Sequence, residues 1–397
     1  MLPNRIITEN KDIFNFIKKL KIDIHLTKIQ NLYLALFIMC MVISGSCNKI
    51  INISNMYFVN RHKTSIGKFL SKSKFNTDKI LNLYQKFIRN TILSISLATK
   101  NPIEVIIDDT VLGKTKPSSK AKNPSEKCGY HQKKRVYGYQ IVIVLLKCGS
   151  IELPYLIKIY DKSKMSKIQM ALEVISSLPK PLYKGFVLAD SWYSSESVIK
   201  ASEKAGYIYV GAIKVNRILY PENHRQGVPI SFLAKDLNKD QFDLVTVKKS
   251  KYYIYRYVGK INGFNNVVIL LSYPEDKFGK EKSLKAFIST EISMNTIDTL
   301  NVYSKRWTIE VFIRTNKMIF NLKGIQVRSY ASMEKFLLIQ MISYTYVASR
   351  NVNYDFLKSL KEVRKNKDKA LIHHIYFLIK DEKKTLAEVE NIVLKAC

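Results

Sequence analysis

The sequence is poor in acidic residues, cysteine and histidine, and each shortage argues against a class of protein. Asp and Glu total 32 against 65 Lys and Arg, which leaves a formal net charge of +33 and a pI near 9.7. The five cysteines match neither a zinc-site spacing nor a disulfide framework in a chain of 397 residues, so we expect the thiols of a reducing cytoplasm. The six histidines are scattered apart from one adjacent pair, and they predict no metal cluster.

Long apolar runs are also lacking. The segment Leu32–Ser44 is nearly all apolar, but its length of about 13 residues falls short of the roughly 18 to 20 that a membrane helix needs. We expect a buried helix of an N-terminal bundle there, with a membrane helix as the alternative. The first eleven residues are polar and no cleavable apolar stretch follows them, so no secretory signal is expected.

The excess of positive charge predicts a polyanionic partner, because it supplies the part of nucleic-acid affinity that does not depend on base sequence. The alternative is the codon bias of an AT-rich genome, which raises the lysine count but does not explain so few acids. Hydrophobic residues make up 47% of the chain and aromatic residues 11%, which is enough for two or three structural units with real cores.

Residues 1–98 carry helical periodicity throughout, with a small, basic segment at Ser65–Lys74. We predict a helical N-terminal DNA-binding region. An amphipathic bundle with a solvated basic face would give the same pattern.

From residue 99 to about residue 330, short β-rich runs alternate with helices, which predicts an α/β domain. The predicted strands are Glu104–Leu112, Tyr137–Lys147, Ile151–Tyr160, Phe186–Asp190 and Tyr207–Lys214, with helices near Ser166–Leu178 and from Ser194 to Lys204. Hairpin-related strands followed by parallel strands that alternate with helices are the order of a ribonuclease H-like core.

The later part of the chain does not continue this alternation of strands and helices. Residues 215–285 predict a β-rich insertion, after which residues 286–290 return to a core strand. One long helix is predicted over Asn295–Phe320. Residues 331–397 form a helical C-terminal region that we consider for dimerisation.

Aspartates follow two of the apolar strands, which is where open α/β sheets place their sites. Asp108 and Asp109 follow Val105–Ile107, and Asp190 follows Phe186–Ala189. A solvated loop carboxylate is the alternative for each of them taken singly.

A third acid, Glu310, lies in a predicted helix among cations. At 100° per residue, one helix face within about 80° carries five polar residues, which are Tyr303, Arg306, Glu310, Arg314 and Lys317. A solvated face with ordinary ion pairs between residues four apart is the alternative. Together with the two strand-end aspartates, Glu310 completes a set of carboxylates that can hold two Mg²⁺ ions for in-line phosphoryl transfer.

The spacing Tyr303, two residues, Arg306, three residues, Glu310, six residues, Lys317 resembles the signature of the insertion-sequence four group of bacterial DDE transposases. The resemblance covers roughly residues 100–330. It implies that Asp108, followed by Thr110, is the first catalytic and metal-binding acid, with Asp109 as the alternative. By the same resemblance Asp190 and Glu310 are the second and third acids, and Tyr303, Arg306 and Lys317 bind phosphates at the transposon end.

The implied activity is cut-and-paste transposition with Mg²⁺, which Mn²⁺ can replace. The implied partners are double-stranded DNA, as terminal inverted repeats and target, and a second copy of the chain in the synaptic complex. A bacterial cytoplasm is expected, with the protein at the nucleoid when it is bound to DNA. The alternatives are a transposase-derived DNA-binding protein or repressor that does not cleave, and a repair or junction nuclease on the same fold.

The basic loop from Gly113 to Arg135 follows the first aspartates, and its cations Lys133, Lys134 and Arg135 are predicted to bind DNA together with Arg314. Gly113-Lys114-Thr115 is not a phosphate-binding loop, because the glycine required five residues upstream is Asp108.

Overall fold

Helices fill the N-terminal region wherever the structure describes it. The computed structural model describes residues 11–44, 50–54, 61–113, 127–131, 134–222, 224–322, 327 and 329–393. The first helices are α1 (Lys11–Lys19), α2 (Lys28–Ser44), α3 (Ile50–Ser54), α4 (Lys63–Ser71) and α5 (Thr77–Thr99). The apolar segment Leu32–Ser44 lies in α2, whose residues 34–42 are all buried. Among the described helices, none combines the length and the apolar character needed to cross a membrane.

The predicted α/β core is confirmed as a ribonuclease H-like sheet. Its strands are β1 (Ile103–Gly113), β3 (Lys134–Cys148), β4 (Ile151–Ile159), β5 (Gly185–Ala189) and β6 (Ile208–Ile213), in the spatial order β4-β3-β1-β5-β6. β1, β5 and β6 are parallel, and β3 is antiparallel to β1 and to β4. A short strand β2 (Lys127–His131) pairs with the beginning of β3.

Helices cover the parallel part of this sheet. α6 (Lys167–Ser176) connects β4 to β5, and α7 (Glu196–Lys204) connects β5 to β6. Every residue of β5 is buried, as expected for a parallel strand with helices on both faces of its sheet.

The strands of the insertion continue the same sheet. β7 (Ile218–Leu219), β8 (Val228–Pro229), helix α8 (Ile230–Asp236), β9 (Asp243–Val247), β10 (Ser250–Ile261) and β11 (Phe264–Pro274) precede the core strand β12 (Lys285–Ser289). The order runs β6-β12-β11-β10, and β12 pairs antiparallel with β6. The β-rich segment is therefore hydrogen-bonded to the core through β12.

The predicted single helix Asn295–Phe320 is wrong, because it is divided into α9 (Thr296–Ser304) and α10 (Trp307–Ile319). At the division the backbone hydrogen bonds join residues three apart instead of four apart. The N–H of Arg306, for example, donates to the carbonyl of Tyr303 at 2.9 Å. Tertiary contacts of the two residues at the break, described below, account for it.

Three further helices complete the fold, which are α11 (Tyr330–Ala348), α12 (Phe356–Lys380) and α13 (Leu386–Val393). α11 is buried along nearly its whole length, between β4 and helices α2 and α12. The buried hydroxyl of Tyr84 in α5 donates to the carbonyl of Pro154 at 2.6 Å and lies 2.8 Å from the hydroxyl of Thr345 in α11. N-terminal and C-terminal helices thus share one core with the sheet, and the division into regions at residues 98 and 330 stays a prediction.

Candidate active site

Asp108 and Asp190 lie side by side because of the register between two parallel strands. The last paired residues of β1 and β5 are Ile107 and Ala189. The next residue along each chain segment is an aspartate. The two carboxylates are close enough for the charge of Asp190 to raise the pKa of Asp108.

The expected position at a strand end holds for Asp190 and is wrong for Asp108. β1 continues to Gly113, because its antiparallel pairing with β3 extends that far. Only the parallel neighbour β5 ends at this level. Asp108 therefore sits in the middle of a strand, where its backbone is fixed by the ladder to β3.

The carboxylates of Asp108 and Asp190 are both partly buried. Burial raises the pKa of Asp108 from 3.8 to about 6, while the N–H of Asp109, 2.8 Å from Oδ1, and the charge of Arg306 lower it. Burial also raises the pKa of Asp190, whose Oδ1 accepts a hydrogen bond of 3.0 Å from the N–H of Trp192. A cation beside these carboxylates would favour their ionised forms.

Arg306 joins the first acid to the third. Its Nη1 lies 2.9 Å from Oδ2 of Asp108, and its Nη2 lies 2.6 Å from Oε1 of Glu310. The side chains of Arg306 and Asp108 are only 16% and 17% exposed, so water screens their pair weakly. Burial favours the neutral guanidine, yet the neighbouring acidic groups outweigh it and raise the pKa of Arg306.

Asp109 has a different set of partners from Asp108. Successive side chains of a strand point to opposite faces. Oδ2 of Asp109 accepts hydrogen bonds from Lys167 at 2.9 Å and from Gln140 at 2.5 Å, and its Oδ1 accepts one from the hydroxyl of Tyr193 at 3.3 Å. Of the two adjacent aspartates, only Asp108 contacts Arg306, and Asp109 is already neutralised by a lysine.

A buried acid outside the predicted site anchors the break between α9 and α10. Glu104, on the same face of β1 as Asp108, is 2% exposed and forms ion pairs with Lys147 at 3.2 Å and with Lys305. Lys305 and Arg306 are adjacent in the chain. Their side chains bind Glu104 and Asp108, which lie four residues apart along β1. Glu104 was not among the predicted site residues, although a lone acid within an apolar strand, in phase with Asp108, was a visible signal.

The remaining predicted DNA-binding residues of the helical segment are divided between α9 and α10, and the guanidinium of Arg306 lies 6.0 Å from the ring centre of Tyr303. Lys317 Nζ donates to the hydroxyl of Thr110 at 3.1 Å. Tyr303 belongs to α9, where its ring packs on Phe287 with centroids 4.6 Å apart, and burial raises its pKa. Arg314 is exposed on α10.

Only part of the predicted basic loop from Gly113 to Arg135 lies within the described residues, which include 127–131 and 134–135. Lys134 and Arg135 begin β3. Lys133 lies outside the described residues.

A cavity of about 850 Å³ adjoins the acids, between the insertion and the core. Its wall includes three lysines and several aromatic or charged residues of the helical break, namely Lys214, Lys248, Lys285, Tyr303, Arg306 and Trp307. The cavity is therefore both basic and aromatic.

Within the described residues, no three His, Cys, Asp or Glu side chains form a ready-made metal-binding group. Asp108 and Asp190 nevertheless offer the oxygen donors that Mg²⁺ prefers, and burial raises the pKa of both carboxylates. Glu310 is separated from them by one guanidinium. The donor chemistry fits a divalent cation at the two aspartates, with Glu310 joined to Asp108 through Arg306.

Two aspartates on adjacent strands of a ribonuclease H-like sheet, with a glutamate on a helix tied to the first of them, define the class of DDE domain proteins. The chain belongs to the transposase DDE domain family, which residues 100–346 match. The predicted recognition as a DDE transposase is confirmed, and the match extends past residue 330 into α11.

Among solved structures, the chain is similar to that described as the cryo-EM structure of a piggyBac transposase synaptic complex with hairpin DNA. The identity is 12% and the TM-score is 0.42, over 100% of this chain and 84% of that one. No curated protein sequence matches the chain.

Proposed function

We propose that the protein is a metal-dependent, cut-and-paste DNA transposase whose catalytic acids are Asp108, Asp190 and Glu310. The observation that carries the proposal is the register that sets Asp108 beside Asp190, with Glu310 joined to Asp108 through Arg306. The three carboxylates would hold Mg²⁺, which Mn²⁺ can replace. A pair of such ions supplies the positive charge that in-line attack on a phosphodiester requires.

We assign the role of first acid to Asp108 rather than to Asp109. Asp108 is the one that shares Arg306 with Glu310, whereas Asp109 is occupied by Lys167, Gln140 and Tyr193. Asp109 then acts as a structural acid that holds the α6 lysine against β1.

In this proposal Arg306 binds carboxylates in the free protein and a DNA phosphate in the complex. In the protein alone it neutralises Asp108 and Glu310. With DNA bound, its planar guanidinium is suited to grip the phosphate next to the cut, since a guanidinium binds phosphate and carboxylate in the same two-pronged way. Tyr303 and Lys317 would bind neighbouring phosphates.

The partner that suits a net charge of +33 is double-stranded DNA, as the element's terminal inverted repeats and as the target. Lys133, Lys134, Arg135 and Arg314 are proposed to contact its backbone, and the helical region 1–98 to bind the ends. Bringing two ends together requires two copies of the chain, so a homodimer in the synaptic complex, through the region 331–397, is part of the proposal. The expected setting is a bacterial cytoplasm.

The test is cleavage of a duplex that carries the element's own terminal repeat, in the presence of Mg²⁺. Asp190→Asn and Glu310→Gln should each abolish cleavage while leaving binding to the duplex measurable. Glu196→Gln is the matched control, because this exposed acid forms an ion pair with Lys200 one turn away, and the variant should cleave normally.

Two outcomes would replace the proposal. Binding to the terminal repeat without cleavage in Mg²⁺ or Mn²⁺ would indicate a transposase-derived DNA-binding protein. Cleavage that follows the shape of the DNA rather than the end sequence would indicate a repair or junction nuclease. Normal cleavage by either acid variant would refute the site assignment. Sedimentation of the protein with and without end DNA tests the homodimer.

A further inference from the structure

Two buried amide side chains join the helix that carries Glu310 to the helix behind it. Asn316 of α10 is 1% exposed and Gln340 of α11 is 0% exposed. Nε2 of Gln340 donates to Oδ1 of Asn316 at 2.9 Å, and Nδ2 of Asn316 donates to the carbonyl of Phe312 at 2.8 Å. The other buried residues of α10 are apolar, so Asn316 and Gln340, which we call the amide pair, stand out as a polar contact on this face of the helix.

The amide pair constrains α10 more tightly than the apolar contacts of the helix do. Apolar contacts have no preferred direction, and a core accepts small shifts if its volume is kept. A hydrogen bond between two buried amides is directional, and a buried amide that loses its partner is unfavourable. Oε1 of Gln340 has no hydrogen-bond partner within the described part of the chain, so this side chain depends on its bond to Asn316. The amide pair therefore opposes rotation of α10 about its axis.

The rotation of α10 decides where Glu310 points. Asn316 follows Glu310 by six residues, which places the two about 120° apart around the helix and about 9 Å apart along it. Glu310 thus lies on the side of Arg306, while Asn316 lies on the buried side. A rotation of about 20° would move a side chain that lies about 5 to 6 Å from the helix axis by roughly 2 Å, which is the length of a magnesium–oxygen bond.

The two ends of α10 are held by different contacts. At its beginning, Lys305 pairs with Glu104 and Arg306 pairs with Asp108. In the proposed function Arg306 exchanges its carboxylates for a DNA phosphate, which removes one of these attachments. The amide pair lies at the other end of the helix and takes no part in that exchange. It therefore continues to orient α10 when the carboxylates are released for metal binding.

We propose that Asn316 and Gln340 are positioning residues for the third acid. The amide pair sets the rotation of α10 and so keeps Glu310 directed at the metal site. The inference rests on the proposed function, because it takes Glu310 to be a catalytic acid. It adds two residues of the core, on two different helices, to those on which the reaction depends.

Replacement of both amides by apolar side chains separates positioning from stability. Asn316→Leu alone leaves Gln340 buried without its partner, so the urea midpoint should fall. Asn316→Leu combined with Gln340→Met removes both polar groups at similar volume, and its urea midpoint should return close to that of the wild type. The double variant should nevertheless cleave the terminal-repeat duplex with a kcat lowered by about tenfold or more and an unchanged KM, since the lost precision affects the chemical step.

A second measurement follows α10 itself, without DNA or metal. In a Trp192→Phe background Trp307 is the only tryptophan, and it lies at the beginning of α10 with 53% of its surface exposed. Rotation of α10 changes the exposure of this indole. The constant for quenching of its fluorescence by acrylamide should therefore shift when the double substitution is introduced.

Ser343→Ala is the matched control. Ser343 is 0% exposed and follows Gln340 by three residues in α11. Its hydroxyl donates to the carbonyl of Ile339 in the same helix at 2.8 Å and contacts the sulfur of Met41 in α2. The variant loses a buried hydrogen bond of α11 without changing the amide pair, so kcat and the quenching constant should stay as in the wild type.

The proposal requires both effects in the double variant, and a normal kcat or an unchanged quenching constant overturns it. Gln340→Met alone, in which Asn316 keeps its bond to Phe312, takes the same measurements if the double variant does not fold. Normal cleavage by Glu310→Gln, or no cleavage by the wild type, is a failure of the proposed function instead. The quenching constant needs neither DNA nor metal, so it would still decide whether the amide pair orients α10.

Discussion

Nη1 of Arg306 lies 2.9 Å from Oδ2 of Asp108, and the other end of the same guanidinium reaches Glu310. The arginine thus lies between two of the carboxylates that the proposed metal ions need. A guanidinium and a divalent cation compete for the same oxygen atoms, so complete metal binding requires Arg306 to release at least one acid. A DNA phosphate is the natural alternative partner for the released arginine.

Arg306→Ala should therefore tighten the binding of Mg²⁺ to the protein without DNA, by roughly three- to tenfold, because one competing positive charge is removed. Titration calorimetry without DNA measures the affinity. The same variant should cleave DNA poorly, since its phosphate contact is lost. Arg314→Ala, an exposed arginine on the same helix, is the control and should leave Mg²⁺ affinity unchanged. Weaker Mg²⁺ binding by Arg306→Ala would contradict the competition.

The adjacent aspartates should behave differently on substitution. Asp108→Asn should weaken Mg²⁺ binding by more than about tenfold, because it removes a charged ligand. Asp109→Asn should leave Mg²⁺ affinity nearly unchanged but lower the free energy of unfolding by about 1 to 3 kcal/mol, since Lys167 is then buried without its carboxylate. Calorimetry and urea unfolding of both variants measure the two effects. The reverse pattern would make Asp109 the metal ligand.

Glu104 should matter for stability although it is not a proposed ligand. Glu104→Gln leaves Lys147 and Lys305 without their buried partner, and we expect a loss of about 3 kcal/mol in the free energy of unfolding. Glu196→Gln breaks an ion pair whose side chains are 48% and 58% exposed, and should cost under about 0.5 kcal/mol. Equal losses in the two variants, by denaturant unfolding, would show that Glu104 anchors nothing.

Metal binding should depend on pH because burial raises the pKa of Asp108 to about 6. The raised pKa favours the protonated folded form, so this group lowers the free energy of unfolding as pH rises from about 4 to 6. Mg²⁺ needs the ionised carboxylate, so its affinity should rise between about pH 5 and 7 and then level off. Calorimetry in two buffers of different ionisation enthalpy should detect proton release at pH 6 and little at pH 8. An affinity that is flat across this range would contradict the shift.

Local patterns predicted most of the fold. The strands at Glu104–Leu112, Ile151–Tyr160 and Tyr207–Lys214 were predicted within about two residues of their ends, because apolar runs bounded by turn residues are local signals. The position of Asp108 at the end of a strand was wrong, since the polar residues after Ile107 continue in the ladder to β3. Strand pairing is a long-range property that a single segment does not reveal.

The sequence pattern singled out the three acids of the candidate site but not the contacts between their side chains and Arg306. The helix break at Lys305 and Arg306 was missed because its cause is tertiary, in ion pairs to Glu104 and Asp108, about 200 residues earlier in the chain. Helical periodicity across Tyr303–Lys317 is uninterrupted, so the sequence favoured one helix. The choice between Asp108 and Asp109 also depends on which partners face each side of β1.

The continuity of the sheet from β6 through β12 to β11 and β10 has a consequence for protein engineering. A shortened chain without β7–β11 would turn β12 into a bare sheet edge, and residues Ala286–Ser289 of that strand are all buried in the intact protein. Exposed edges of this kind recruit strands from other molecules. The inserted strands thus protect the edge of β12 from pairing with other molecules. A minimal catalytic fragment that lacks them should be insoluble unless the edge of β12 is covered in another way.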